Sequence, residues 1–530
     1  MLRLSKGKTR HNTPKEVYNW KLFFAALSAA FGGILFGYDN AFLGGTLALP
    51  SFRERYGLVG KSTSTVNDLS SNIVITFQAG CFLACFLATP AAEILGRRKS
   101  LLICCVVFLI GAAIQVVGKL AAFYVGRFLT GIGVGALTVV CPVYVSEVAP
   151  TSLRGTLVGS FEVFYQFGGL IGFWINYGAS LHIADTSDTQ WRVPVVMQLP
   201  LAAILLLGVI FLPETPRWLM KQDRVEAATN VLVGLRNLPA SHEYVAHELG
   251  DIANEIRLET QLQGAASHTS RFSLVMALLK ECVSKNMRHR ISVGVITQLI
   301  GQLSGINGIN YYSPTIFRSL GVTGTHTGLF ATGIYGVVKS ATACVAYFIL
   351  VDRVGRRKLL MTGCVIMIIA QFFVGAYIEV VKPSADDQKL TGAGTAACAF
   401  IYIYVIGFVM SFGGIPWILS SECVPVHIRA ISATLGAATQ WLFNLIITKA
   451  TPYMIAAIHG GTFFFFGSCV IVGLVYIYFF VPETRGVPLE RMAAVFGHKD
   501  ELDLQDALGG DEIDAEKVEA AAQEKQVESV

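Results

Sequence analysis

The chain has 530 residues, 53% of them hydrophobic and only 15% charged, where an average soluble protein has about 25% charged. A soluble chain of this composition would expose large apolar patches, and a disordered chain is far less apolar, so both classes are excluded for most of the sequence. Lys and Arg (41) exceed Asp and Glu (36) by only five, and their placement carries more information than the excess.

Twelve runs reach the roughly 20 mostly apolar residues needed to cross the hydrocarbon core. They lie at 22–43, 70–94, 100–117, 122–143, 156–178, 194–212, 291–317, 327–350, 358–380, 396–420, 430–452 and 462–481. A basic segment, 1–21, precedes the first; it lacks a small-residue cleavage site and reads as cytoplasmic chain, not a removed signal. Asp39 lies in the first run, Arg127 in the fourth, Glu162 in the fifth and Lys339 in the eighth. A polar, partly helical stretch, 213–290, divides six runs from six. The tail, 482–530, turns acidic and Ala-rich from Lys499 without aromatics, the composition of a disordered segment.

An even number of spans puts both termini on one side. With that side inside, 30 of the 41 Lys and Arg fall in inside segments and 8 in outside loops. The positive-inside rule therefore places both termini in the cytoplasm. The 11 Cys lie in or beside spans or, for Cys282, in an inside loop, and read as small buried hydrophobes without a disulfide framework. No His and Cys occur at metal-ligand spacing.

The two sets of six runs follow one plan. Gly96-Arg97-Arg98-Lys99 after the second run returns as Gly355-Arg356-Arg357-Lys358 after the eighth. Glu147 and Arg154 after the fourth return as Glu422 and Arg429 after the tenth, and Pro213-Glu214-Thr215 after the sixth returns as Pro482-Glu483-Thr484 after the twelfth. The offsets are 259, 275 and 269 residues, so the halves differ by loop insertions alone. The expected fold is an all-α membrane protein with halves at 22–212 and 291–481 and a helical cytoplasmic domain at 213–290. Positive-inside anchoring accounts for the arginines but not for acids at matched places. An acid at one helix end can pair with an Arg at another, and such pairs would break and form as the halves rock.

In order, the motifs resemble the sugar porter family of the major facilitator superfamily. The resemblance rests on Gly96-Arg97-Arg98, Asp352-Arg353-Val354-Gly355-Arg356-Arg357, Pro213-Glu214-Thr215-Pro216-Arg217-Trp218, Gln302-Leu303-Ser304-Gly305-Ile306-Asn307, Tyr311-Tyr312-Ser313-Pro314 and Pro482-Glu483-Thr484-Arg485-Gly486. It spans about residues 20–496. Gly37-Tyr38-Asp39-Asn40-Ala41-Phe42 and Gly172-Phe173-Trp174-Ile175-Asn176-Tyr177-Gly178 narrow it to the fungal quinate-permease-like branch.

Ionisable residues inside spans are costly and usually functional. The resemblance implies that Asp39 is the proton-coupling site and Arg127 its partner; facilitators resembling the glucose uniporters carry Asn at the former place. It also implies that Gln302, Asn307, Trp417, Gln440 and Trp441 line a central site. Amides can donate to and accept from hydroxyls, and aromatic rings pack on the C–H face of a sugar. Tyr311 and Tyr312 are assigned to the outer gate. The matched charges Arg97, Arg98, Glu147, Arg154, Glu214, Arg217, Asp352, Arg356, Arg357, Glu422, Arg429 and Glu483 are assigned to gating. Three places depart from the family pattern: Gly301-Gln302 keeps one Gln of two, Glu162 replaces a common Gln, and Lys339-Ser340 stands where many relatives have Asn. Lys339 is a selectivity candidate that could attract a carboxylate substrate or pair with a membrane acid. Glu162 is either a second titrating or selectivity group, placed with the substrate contacts, or a carboxyl simply bonded to neighbouring polar groups.

Gly60-Lys61-Ser62-Thr63 matches the end of a phosphate-binding loop but lacks its first Gly, which would be Arg55, so nucleotide binding is not expected. The basic run from Arg3 to Arg10 reads as a positive-inside signal or weak lipid contact, so nucleic-acid binding is not expected either. The expectation is a plasma-membrane proton symporter for a monosaccharide or related polyol acid. It would act as a monomer in the bilayer, with protons as coupling ion, no cofactor and no enzymatic activity. The alternatives are a hexose uniporter, a quinate or galacturonate transporter, a non-transporting nutrient sensor and a small-metabolite exporter.

Overall fold

The computed structural model describes residues 13–264, 280, 282–322, 324–382, 391–485 and 496, excepting the side chains of 255, 258–264, 285, 286, 352, 426 and 427. Among the described residues every regular element is helical. Twelve segments follow the expected runs. They are α1 (Trp20–Thr46), α2 (Thr63–Leu95), α3 (Arg97–Gln115), α4 (Leu120–Val148), α5 (Arg154–His182) and α6 (Thr189–Ile210). The second set is α7 (Lys285–Leu303, continued by Ile306–Ser319), α8 (Thr325–Leu350), α9 (Arg356–Val381), α10 (Gly392–Glu422), α11 (Val426–Ile458) and α12 (Gly461–Phe480).

Ten of these are long and apolar enough to cross a membrane, and α5 and α7 fall short. The reason is their polar side chains. Gln166 and Asn176 on α5, and Gln298, Gln302, Asn307 and Asn310 on α7, are all buried. Polar residues at membrane depth are tolerated where other helices surround them. Several boundaries also differ from expectation. The second helix begins at Thr63, before the expected 70, because Ser62 caps it by accepting the Thr65 N–H at 3.3 Å. The Gly-Lys-Ser-Thr stretch is thus the entry to a helix.

Four helices are interrupted, among them the sixth at Met197. The first breaks at Phe31, the tenth between Ser411 and Ile415, and the seventh at Ser304 and Gly305. Gly305 has φ +83°, a left-handed conformation costly for residues with a Cβ. The carbonyl freed there is satisfied: Gln371 Nε2 donates to the Ser304 oxygen at 2.6 Å and the Tyr404 hydroxyl at 2.9 Å.

Two large apolar cores match the two sets of helices, and they interlock. Tyr311, Tyr312 and Trp441 from the second set pack into the first core, while Ala41, Val163 and Phe173 from the first set pack into the second. Small residues let helix backbones approach. At the crossing of α2 and α4, a Cβ on Gly135 would sit 2.5 Å from the Cα of Cys81.

The stretch between the two sets holds helices Pro216–Lys221, Val225–Arg236 and Glu243–Gly264. Arg236 is buried and donates to Glu248 at 2.5 and 2.8 Å and to the Val148 carbonyl at 2.9 Å. That last bond satisfies an end carbonyl of α4 and ties these helices to the first half. The start of the expected N-terminal segment, 1–12, the 265–279 part of the linker, and the tail beyond Arg485 apart from Phe496 lie outside the described residues.

Gly135→Val should force α2 and α4 apart and cost about 1–3 kcal/mol. Thermal unfolding of the purified protein in detergent measures this; an unchanged midpoint would contradict the packing described here.

Candidate functional site

The first helix and the fourth bring Asp39 and Arg127 together. Arg127 Nη1 donates to Asp39 Oδ1 at 3.0 Å, and both side chains are 0% exposed. The guanidinium also stacks on Phe77 at 4.4 Å and faces Phe42 at 5.6 Å. The pair is sparsely satisfied: Asp39 Oδ2 and Arg127 Nε and Nη2 have no hydrogen-bond partner among the described residues. A buried ion pair recovers its desolvation cost only with further hydrogen bonds, so this one is held loosely for its depth. A proton on Asp39 would remove its attraction.

Across from this pair, the break in α7 turns Gln302 and Asn307 toward each other, and Asn307 Nδ2 donates to Gln302 Oε1. On the helix beyond the break, Tyr311 donates to Asn40, the neighbour of Asp39, and Tyr312 donates to the Thr448 carbonyl at 3.2 Å. Trp441 is fully buried; its ring lies 5.4 Å from Phe36 and 6.0 Å from Phe77, and its indole N–H has no partner among the described residues. Phe77 thus touches both Arg127 and Trp441. Trp417, just past the break in α10, and Gln440 are half-buried, and Trp417 packs against the first-half core.

A second group of polar side chains joins α5, α8 and the broken α10. Gln166 donates to Glu162 at 2.6 Å, and the Glu162 carboxylate points toward the glycine break, where a Cβ on Gly413 would lie 3.3 Å from Oε1. Ser340 donates to the Gln166 carbonyl at 3.0 Å. Its neighbour Lys339 donates to Asn310 at 3.1 Å and lies over the rings of Tyr165 and Tyr335 at 5.7 and 5.4 Å.

The matched charges form two similar clusters at one end of the bundle, the arginine-rich end. In the first half Arg97 pairs with Glu93 at 2.7 Å and Glu147 at 3.0 Å, while Glu214 accepts the backbone N–H groups of Arg97 and Arg98 at 2.9 and 3.2 Å. In the second, Arg356 pairs with Glu422 at 3.3 Å, and Glu483 accepts the Arg356 N–H at 2.9 Å. Glu214 and Glu483 therefore cap the N-termini of α3 and α9, where a carboxylate meets unpaired N–H groups and the positive end of the helix dipole. Burial pushes the Glu214 carboxyl above its ordinary range, opposed by these backbone donors. Each of these ion pairs joins helices of one half. Arg98 donates to the Ile210 carbonyl at 2.6 Å and Arg357 to the Tyr478 carbonyl. Arg154 is exposed, Arg217 and Arg429 are half-buried, and the Asp352 side chain lies outside the described residues.

Polar contacts that cross between the halves include Thr89 with Thr434 at 3.0 Å toward the arginine-rich end, and more of them gather at the opposite end. Lys449 on α11 donates to Asp68, Ser71 and Asn72 on α2 at 3.3, 3.0 and 2.9 Å, and Tyr453 also donates to Asp68. Deeper along the same two helices, Gln78 donates to Asn444 at 2.7 Å and Thr448 at 3.0 Å. Sequence reasoning left Lys449 without a role and missed Asn40, Gln78, Gln166, Gln298 and Asn310. The signal was present for some of these: Gln298 and Gln302, like Asn307 and Asn310, recur at helical spacing within an otherwise apolar run.

Two interlocked six-helix halves around a buried charge pair and a set of inward-facing amides define a membrane transporter of the major facilitator type. The chain belongs to the sugar (and other) transporter family, whose model matches residues 25–496. It is 41% identical over 496 residues to a probable quinate permease of Aspergillus fumigatus, covering 92% of this chain and 89% of that one. It is 41% identical over 492 residues to the quinate permease of Neurospora terricola, with 91% and 90% covered. Among solved structures, the proton:xylose symporter XylE bound to 6-bromo-6-deoxy-D-glucose matches with a TM-score of 0.74 at 27% identity, covering 90% of this chain and 99% of that one. XylE from E. coli in a partially occluded inward open conformation gives 0.72 at 26% identity, with 89% and 100% covered. These relatives are permeases and transporters, not enzymes.

Removing the capping carboxylate with Glu214→Ala should cost about 1–3 kcal/mol, because the N–H groups at the start of α3 lose their acceptor. Denaturation of the purified protein reads the loss, and a change within a few tenths of a kcal/mol would show that water replaces the cap at no cost.

Proposed function

We propose that the chain is a proton-coupled symporter that imports a monosaccharide or related polyol acid by alternating access. In this reading it lies in the plasma membrane with both termini in the cytoplasm, so that the arginine-rich end faces inward. It acts as a monomer, with protons as the coupling ion and no cofactor. The observation that carries the reading is the buried Asp39–Arg127 pair, closed by a single contact at 3.0 Å in the middle of an apolar bundle.

The cycle follows from electrostatics. An ionised Asp39 holds Arg127, and the pair ties α1 to α4. A proton from outside neutralises the carboxyl, and Arg127 is released toward Phe77. Phe77 leans on Trp441, so release is felt at the solute contacts. Gln302, Asn307, Trp417, Gln440, Trp441 and Glu162 bind solute hydroxyls and the ring face, and the halves close around the solute. The matched pairs Arg97–Glu147 and Arg356–Glu422 hold each half as a rigid body during this motion. The Lys449–Asp68 contacts close the outer end and must open for solute entry.

The relatives favour this solute class. One curated relative is named a quinate permease, and one solved neighbour is titled a proton:xylose symporter. A uniporter is the reading that Asp39 argues against, since a permanent buried carboxylate has no use in a cycle without protons.

The test is uptake of labelled hexoses, pentoses, galacturonate and quinate by cells lacking their own sugar transporters. Uptake should be faster at pH 5 than at pH 7 and should collapse with a protonophore. Asp39→Asn should abolish accumulation against a gradient while exchange of internal for external solute continues. Uptake indifferent to pH and protonophore, or full accumulation by the variant, would sink proton coupling.

A further inference from the structure

Phe77 and Gln78 are neighbours on α2 and face different partners. Phe77 stacks on the Arg127 guanidinium at 4.4 Å and meets the Trp441 ring at 6.0 Å. Gln78 is 0% exposed and donates from Nε2 to Asn444 Oδ1 at 2.7 Å and to Thr448 Oγ1 at 3.0 Å. Both acceptors lie on α11, in the other half, and Thr448 donates to Asn444 at 3.1 Å, so the three side chains close a buried triangle. Trp441, Asn444 and Thr448 recur at helical spacing and share one face of α11. The two residues of α2 therefore hold one face of α11, one through a ring and one through an amide. An amide nitrogen carries two N–H donors, and this contact uses both. Gln78 Oε1 has no hydrogen-bond partner among the described residues, so the amide is held from one side alone.

The same two residues touch the surroundings of the charge pair. α4, which carries Arg127, meets α2 at Phe77: a Cβ on Gly131, one turn beyond Arg127, would lie 2.1 Å from the Phe77 carbonyl oxygen. From the other side, Tyr311 donates to Asn40, the residue after Asp39, and its hydroxyl neighbours the Gln78 side chain and both charges. The next residue, Tyr312, donates at 3.2 Å to the carbonyl of Thr448, which is also a partner of Gln78. Gln78 thus sits between the contacts of Asp39 and Arg127 on one side and α11 on the other. Asp68 and Lys449 join the same two helices farther out, ten residues before Gln78 on α2.

We propose that Gln78 is the positioning residue through which the Asp39–Arg127 pair closes the outer end of the bundle. With the pair formed, Arg127 holds Phe77, Asn40 holds Tyr311, and Gln78 keeps its bonds to Asn444 and Thr448. When the pair breaks, those supports go, the bonds of Gln78 open, and α2 and α11 separate at their outer ends. An empty transporter with a broken pair then stays open outward until a solute touching Trp441 draws the halves together, so that protons do not pass without solute. This rests on the reading of the pair as the switch of the transport cycle. Neutral hydrogen bonds suit such a link, because each contributes little net stability and a neighbouring charge pair can tip the balance.

Hydrogen–deuterium exchange of the purified full-length protein tests this at the outer ends of α2 and α11. Asp39→Asn and Gln78→Leu should each speed exchange there about tenfold, the equivalent of one or two lost hydrogen bonds. The double variant should match either single one, because Gln78→Leu leaves the pair nothing to act through. Lys449→Met, which loosens the same end without touching the pair, should add to Asp39→Asn. If Gln78→Leu does not fold, Thr448→Val removes one of the same bonds from the α11 side and is read in the same way. The inference is overturned if Asp39→Asn leaves the outer ends protected or if its effect adds to that of Gln78→Leu. It is also overturned if Lys449→Met is equally non-additive, since any damage between the two helices would then act alike. Additive effects with protonophore-sensitive uptake would overturn this inference and leave proton coupling standing. Non-additive effects with uptake that ignores protonophores would do the reverse.

Discussion

The structure is organised around one expensive contact, the ion pair of Asp39 and Arg127 with both partners fully buried. Such a pair gains little for stability over apolar replacements, and removing one partner costs about 3–5 kcal/mol because the other is left as an unpaired buried charge. The surroundings reflect that constraint. Rings from α1 and α2 flank the guanidinium, at Phe42 and Phe77, and provide polarisable surface where water would otherwise be needed. Glycine lets α4, which carries Arg127, approach α2, which carries Phe77, as where Gly135 meets the backbone of Cys81. Few other hydrogen bonds support the pair: Asp39 Oδ2 and Arg127 Nε and Nη2 have none among the described residues.

The rest of the bundle divides rigidity from motion by the same kind of chemistry. At the arginine-rich end the charged contacts bind helix ends within a half, and Glu214 and Glu483 do the same work at equivalent places, each bonding the N–H groups that begin the next helix. The neutral and outer polar contacts run between halves, from Lys449 to Asp68, from Gln78 to Asn444 and from Thr89 to Thr434. The proposed alternation requires that the second kind break while the first persist. Exposed ion pairs such as Lys449–Asp68 are worth at most about 1 kcal/mol, so they are well suited to being broken on every cycle.

Much of this was legible in the amino-acid order. A helix must be long and apolar to cross a bilayer, so the spans are readable as runs, and the charges between them repeat at matched places. Asp39 and Arg127 stood out because an ionisable residue inside such a run is rare. What could not be read was mutual placement. Lys449 lies inside an apolar run, but only the protrusion of α2 back to Thr63 puts Asp68 beside it. Asn310 looked like one more polar residue of a broken helix until the fold set it against Lys339 from another. Matched acids and arginines suggested contacts between the halves, whereas those seen join helices within each half, because the caps of α3 and α9 are reached by the chain that follows the last helix of the same half. Contacts distant in sequence depend on tertiary packing, which no local pattern encodes.

In the proposed cycle, movement of solute is movement of protons. It is tested most directly in de-energised proteoliposomes containing the purified protein and no ion gradient, with a pH-sensitive dye outside. Adding a transported solute should make the external medium more alkaline as protons enter with it, and the signal should vanish with a protonophore. Labelled solute entering at the same rate with no change in external pH would contradict the account.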